Sequence, residues 1–403
     1  VKKYLGLAMA FVFILPQMVT GGTSIFGFGP RLLGSYKSPY SISALGRGGY
    51  EMSFIDSLGI NQLNYALWTK LERTAISVSF NYNGITAKSG QVHMYNADAG
   101  FTGGFITLPL IKQKFVVGLG LTPRYINNTG IKIVDIGPEA GITQEIQSKG
   151  NLSEAIVVGS FSPLPKLSLA IDIGYDFGMI TAATSILYEN AVYGDIYIQD
   201  EYQLRGLNYG MSGFYEYNEK YSLGFKFKSP TPLTMHQERK SSNLPESIKQ
   251  TIDIVIPSLF GLGLGYRISP LWHTGLDCIY QNWQRQYTVD EEKIEQIRDS
   301  YRIGLGFEKS PVEKRFLPFL QNLSWRGGVF FSQLNVTVND NPVYEYGLTA
   351  GLSIPIWKHR NRIDLAFEFG QRGDAKSTLL REQFFGISFS LSSSEQWFVR
   401  EKR

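Results

Sequence analysis

Four histidines, His93, His236, His273 and His359, are the first candidates for metal or acid–base chemistry in this 403-residue chain. They are scattered, and none has a partner at metal-ligand spacing. Cys278 is the only cysteine, which rules out an intrachain disulfide and any cysteine-based metal centre. No Gly-x-Ser-x-Gly nucleophile elbow occurs. Gly261-Leu262-Gly263-Leu264-Gly265 has the glycines of a phosphate loop but not their context. Its glycines are two apart with apolar residues between, the pattern of a strand with a slim inner face. Charged residues are plentiful but mixed in sign: Asp172, Asp176, Lys226, Lys228, Arg267, Asp277, Arg302, Glu308, Glu345, Asp364 and Glu368. A pore selecting one sign of ion would show a dominant sign. These groups read instead as solvated or mutually paired. The formal net charge of +4 is dispersed, with no basic stripe for nucleic acid. No enzyme, cofactor, metal or nucleic-acid partner is expected.

The elements that carry these residues explain the mixture. Leu167, Leu169, Ile171, Ile173, Tyr175 and Phe177 alternate with Ser168, Ala170, Asp172, Gly174, Asp176 and Gly178. Phe385, Ile387, Phe389 and Leu391 alternate with Gly386, Ser388, Ser390 and Ser392 in the same way. Successive side chains of a strand point to opposite faces, so each segment has one greasy and one wet side. About fourteen such segments follow one another between residues 73 and 398, the signature of an outer-membrane β-barrel. Glycine (42 residues) and aromatics (14%) suit crowded inner positions and interfacial girdles. A propeller would need a repeat of about forty residues, and none is found. Tight connections such as 110–112, 163–165, 218–220 and 269–270 alternate with polar loops expected at 84–97, 128–151, 181–202, 231–249 and 287–298. The last of these reads as a solvated turn or short helix, while 181–202, apolar for an external loop, is expected to extend its flanking strands above the membrane or else to line a greasy capture groove. Short periplasmic turns and longer external loops place both termini of an even-stranded barrel in the periplasm.

Two further units precede the strands and one follows. Lys2 and Lys3, the apolar stretch Tyr4 to Leu15, Pro16 and then Thr20-Gly21-Gly22 form a secretory leader expected over 1–22. Residues 23–72 lack strand periodicity yet carry Phe26, Phe28, Leu58, Leu63, Leu67 and Trp68, which need burial. A segment this long without regular structure is uncommon unless it is functional, and inside a barrel it would be a plug, or hatch. The barrel is expected over 73–398, and the chain ends on a charged stretch, 399–403.

Several motifs in order resemble the FadL/TodX family of outer-membrane transporters of long-chain fatty acids and hydrocarbons. They are Ile256-Pro257-Ser258, Gly263-Leu264-Gly265-Tyr266-Arg267, Pro270-Leu271-Trp272 and Asn282-Trp283. Phe225 to Pro230, Leu108-Pro109-Leu110 and Leu45-Gly46-Arg47 are similar as well, and Asn64-Tyr65-Ala66 sits where the family has Asn-Pro-Ala. The resemblance implies a fourteen-stranded barrel plugged by an N-terminal hatch, which passes a hydrophobic ligand sideways into outer-membrane lipid through an inward kink in the third strand. It also implies ligand contacts at Phe26, Phe28, Arg47, Asn64, Tyr65 and Arg124. The kink or gate falls on Gly118, Gly120 and Pro123, and proline's missing N–H is a physical origin for a gap. Tyr65 in place of the hatch proline and the charged end depart from the pattern. They resemble a divergent branch that includes PorV-type subunits of a secretion system. Passive uptake of hydrophobic small molecules is therefore the expected function. The alternative is a partner barrel for secretion or surface assembly, which a plugged lumen without a continuous apolar track would favour.

Overall fold

The computed structural model describes residues 23–27, 33–56, 58–89, 92–134, 142–188, 194–243, 246–294, 297–311, 322–356 and 361–395. The expected leader, Phe28 and the charged end lie outside the described residues. Fourteen strands, each antiparallel to its neighbours, form a closed barrel. The first six are β1 (Thr74–Ser89), β2 (Val92–Ile111), β3 (Phe115–Val134), β4 (Ile142–Leu164), β5 (Leu167–Tyr188) and β6 (Ile196–Glu216). Two strands are broken: β7 (Tyr221–Lys228 and Thr231–Ser241) and β8 (Ile248–Ile256 and Leu259–Arg267). Pro230 and Pro257 sit at these breaks, where a residue without an N–H cannot extend the ladder. Then come β9 (Trp272–Gln281), β10 (Ser300–Lys309), β11 (Ser324–Val338), β12 (Asn341–Ile356), β13 (Asn361–Arg372) and β14 (Arg381–Glu395). The barrel closes where β14 pairs with β1, from Arg381 opposite Lys88 to Glu395 opposite Thr74.

The alternation sorts side chains as a barrel in lipid requires. On β5, Ile171 and Ile173 are about two-thirds exposed, while Asp172 and Asp176 between and beyond them are buried. Four of the expected loops, 84–97, 128–151, 181–202 and 231–249, turn out to be largely strand. β1 and β2 run on to Ser89 and from Val92, β4 is 23 residues long, and β5 continues to Tyr188. A tilted strand crosses the bilayer in about 9–11 residues. Beyond that height both faces of a hairpin meet polar surroundings, so the hydropathy period fades while the hydrogen-bond ladder continues.

The segment expected as a solvated turn at 287–298 instead crosses the mouth of the barrel. Val289 pairs with Ile254 of β8, and Ile297 bridges to Val336 of β11. Trp283, Tyr287 and Ile297 are buried in a cluster with Tyr125, Leu152, Leu204, Leu233 and Ile256 from the strand interiors. This strap was hidden because its apolar residues are too few and too widely spaced to show a period.

The N-terminal segment is buried against the inward faces of the strands. Asn64 caps the short 3-10 helix Tyr65–Lys70, and its Nδ2 donates to Met52 O (2.7 Å) and to Gly213 O of β6 (2.9 Å). Glycine lets the two backbones meet. A Cβ on Gly306 would stand 2.0 Å from Arg47 O, and one on Gly224 would stand 2.1 Å from Met52 O. Trp68 is fully buried with Tyr65, Leu67 and Phe105 in one apolar cluster.

One seam departs from the regular wall. β2 and β3 pair from Ile111 opposite Phe115 up to Gly104 opposite Leu121, and there the pairing stops. β3 remains paired to β4 as far as Val134, with a register shift between Pro123 and Tyr125. Its other edge is taken by the N-terminal segment. Tyr36 pairs with Tyr125, Ser35 pairs with Ile126, and Lys37 N donates to Arg124 O at 2.8 Å. Thr23 N donates to Asn128 O further along the same edge.

Candidate functional site

The lower lumen is held by ion pairs between the N-terminal segment and the wall. Arg47 meets Glu308 of β10, which also accepts from Arg326 Nε of β11 at 2.7 Å. Arg326 Nη1 reaches Asp364 of β13 at 3.2 Å, and Asp364 accepts from Arg362 Nε at 3.0 Å. Arg362 then binds Asp56 of the N-terminal segment at 2.7 Å. The chain of charges thus begins and ends on that segment. Across the barrel, Lys226 donates to Asp172 at 2.9 Å and Lys228 meets Glu154. Removing one partner of a buried pair costs about 3–5 kcal/mol, because the other charge is left without compensation.

Two carboxyls in this region, Glu51 and Asp277, are not matched by a cation of their own, and Asp277 accepts from the backbone N–H groups of Glu51 and Met52 at 2.7 Å. Glu51 accepts from the backbone N–H groups of Gln62 (3.0 Å) and Ser41 (3.1 Å). Burial pushes it up to about 7 in spite of these bonds. Asp56 shows the opposite balance: burial raises it, but the Arg362 guanidinium wins and holds it well below the usual carboxylate range.

The expected site residues fall into three places. Arg47, Asn64 and Tyr65 are buried inside the N-terminal segment. Arg47 Nε donates to Tyr50 O, and its guanidinium lies 3.8 Å from the centre of the Phe54 ring. Lys226 Nζ stands 3.8 Å over the Tyr65 ring. Phe26 packs higher up with Val336 and Val343. Arg124 Nη1 donates to Asp176 at 2.5 Å, and Asp176 also accepts from Asn208 Nδ2 at 2.7 Å. Gly118 and Gly120 lie where the β2–β3 ladder is still whole. A Cβ at Gly118 would meet the Trp68 ring at 2.6 Å, and one at Gly120 would meet the Phe105 ring at 2.5 Å. Pro123 stands at the parting itself and lines a cavity of about 170 Å³ behind it.

That cavity brings together residues the sequence did not single out: Lys37, Asn81, Asn83, Asp98 and Ser388, with Glu368. Alternation does place Asn81, Asn83 and Ser388 on inward faces. Nothing local shows that Lys37, in an irregular stretch, lies among them. A second cavity of about 140 Å³ lies beneath the strap, lined by Trp283, Tyr301, Gln281 and Arg302, and shares Tyr36, Arg302 and Arg372 with the first.

An antiparallel barrel with an N-terminal segment packed against its inner wall and a parted third strand is a specific architecture, and the family model named BamG matches residues 9–403. The chain belongs to the BamG family. Among solved structures, this BamG-family barrel is similar to a FadL homologue from Pseudomonas aeruginosa. The TM-score is 0.61 at 13% identity, covering 90% of this chain and 99% of that one. It is also similar to the toluene transporter TbuX of Ralstonia pickettii, with a TM-score of 0.61, 13% identity and coverage of 92% and 99%. The toluene transporter TodX of Pseudomonas putida gives 0.59, 12% identity and coverage of 93% and 100%. At this identity the likeness is one of fold. A search of the curated proteins finds no match.

Proposed function

We propose that this BamG-family barrel passes hydrophobic or amphiphilic small molecules, fatty acids among them, from outside the cell into the outer membrane without energy input. The N-terminal segment is its hatch, both termini are periplasmic, and the exit is the seam between β2 and β3. The observation that carries this reading is the parting of β3 from β2 at Leu121, with a cavity directly behind it at Pro123 and Thr102. An acyl chain leaving sideways enters hydrocarbon without crossing water, which the hydrophobic effect favours.

The seam can be locked to test this. Asn128 Nδ2 and Asp98 Oδ1 lie 3.0 Å apart across it. Cysteines replacing Asp98 and Asn128, in a Cys278→Ser background, should form a disulfide that abolishes uptake of labelled lauric acid. A reductant should restore the uptake. Unchanged uptake in the oxidised, well-assembled barrel would overturn the lateral route.

A second reading is favoured by a different observation. The hatch is fixed by glycine-to-backbone contact and by ion pairs at both ends, and the strap crosses the mouth. The two cavities near the seam are lined largely by polar and charged residues. On this reading the barrel serves a partner in secretion or surface assembly, and the locked seam leaves that activity unchanged.

A further inference from the structure

Most charges in this lumen pair with one another, Glu51 and Asp277 are held by backbone N–H groups instead, and one cavity keeps opposite charges apart. Arg372, Glu345, Glu382, Asp176 and Lys226 all make contacts of 2.5–2.9 Å with an opposite charge. The cavity behind the seam is different. Beside the mutually paired Arg302, Glu345 and Arg372, it is faced by Lys37 from the hatch, Asp98 from β2 and Glu368 from β13. Among the described residues, neither the Lys37 ammonium nor the Glu368 carboxylate has an ion-pair or hydrogen-bond partner. Asp98 accepts only from Asn128 Nδ2. Burial lowers Lys37 from the ordinary lysine range, with the Asp98 carboxylate pulling the other way. Opposite charges inside a low-dielectric barrel attract strongly and are costly when left unpaired. Here they line one space of about 170 Å³ and stay apart across it.

We infer that this cavity receives the zwitterionic head of an amphiphile, one bearing an ammonium together with a phosphate or carboxylate. Lys37 takes the anionic group, and Glu368 with Asp98 takes the ammonium. Thr102 and Pro123 line the same cavity at the seam, so the tails point to the membrane. A simple fatty acid supplies only the anion. It would satisfy Lys37 but leave Glu368 and Asp98 without a cation. The inference rests on the lateral reading above and narrows its substrate class. Its test is a binding measurement on the unlocked barrel, so it can fail while uptake through the seam stands, and the reverse.

The experiment titrates the full chain, in a neutral maltoside detergent, with dihexanoylphosphatidylethanolamine, dihexanoylphosphatidylglycerol and phosphoethanolamine, reading heat of binding. The zwitterionic lipid should bind at least about tenfold more tightly than the anionic one. Phosphoethanolamine should compete for the same site but more weakly. Lys37→Ala and Glu368→Gln should each weaken the zwitterionic lipid by about tenfold. Glu368→Gln should also narrow the gap between the two lipids. Barrel assembly is checked by heat-shifted gel migration; if a variant does not assemble, the comparison of the two lipids on the unaltered protein decides. Equal affinity for both lipids, or no binding of either, would overturn the inference. Phosphoethanolamine binding as tightly as the lipid would overturn its amphiphilic part.

Discussion

Arg326 shows how a single side chain holds this lumen together. It is buried between Glu308 and Asp364, and removing it leaves both carboxylates without their shared cation. Arg326→Ala is therefore expected to destabilise the barrel by about 3–5 kcal/mol, read as a lower temperature for the shift in gel migration. Glu51 gives a pH signature. Its value in the folded protein, about 7, lies above the ordinary 4.5 because burial disfavours the charged form. Arg47 acts on it less than burial does, and Asp277 accepts from the Glu51 backbone N–H. The Glu51 contribution to stability is thus full below about 4.5 and is lost as pH rises toward about 7, because the carboxyl ionises first in the unfolded chain. Glu51→Gln should flatten that slope of stability between pH 4.5 and 7; an unchanged slope would assign it to other groups. The sequence shows that such charges face inward, since alternation sets direction. It does not show that Arg124 lies opposite Asp176, or Arg47 opposite Glu308, because those partners are fixed by strand register and hatch placement.

At the scale of elements, the greasy strand faces were legible because a bilayer imposes a period of two on them. The polar hairpins beyond the bilayer and the strap over the mouth were not, because no such contrast marks them. The strap's apolar anchors suggest a direct check. Trp283→Ala and Tyr287→Ala should free it, giving faster proteolysis between Asp290 and Lys293 with the rest of the barrel resistant. Unaltered cleavage would mean that the strand pairings at Val289 and Ile297 hold the strap alone. The N-terminal segment has a matching test in the wall. Gly306→Ala places a methyl group against Arg47 O, where a Cβ would stand at only 2.0 Å. Overpacking of this kind costs about 1–3 kcal/mol, so the segment 33–72 should become protease-sensitive in an otherwise folded barrel.

For the whole molecule, fourteen strands and a buried N-terminal segment were foreseeable from alternation, length and the apolar residues of 23–72. The place where the wall opens was less so. Pro123 marks it, but the glycines at 118 and 120 sit in intact ladder, facing Trp68 and Phe105. The small side chains there serve close packing against the hatch. Orientation is tested by cysteine labelling of intact cells, which should reach a cysteine at Ser242, beyond the β7 extension, but not one at Asn218 in the tight β6–β7 turn. The central claim is that a ligand meets the membrane at the β2–β3 seam. A crystal of the barrel grown with 12-bromododecanoate tests it most directly, because bromine is located by its anomalous scattering. The lateral account places a bromine peak at the seam beside Thr102 and Pro123. Bromine found only along the outer apolar belt, with none at the seam, would contradict it.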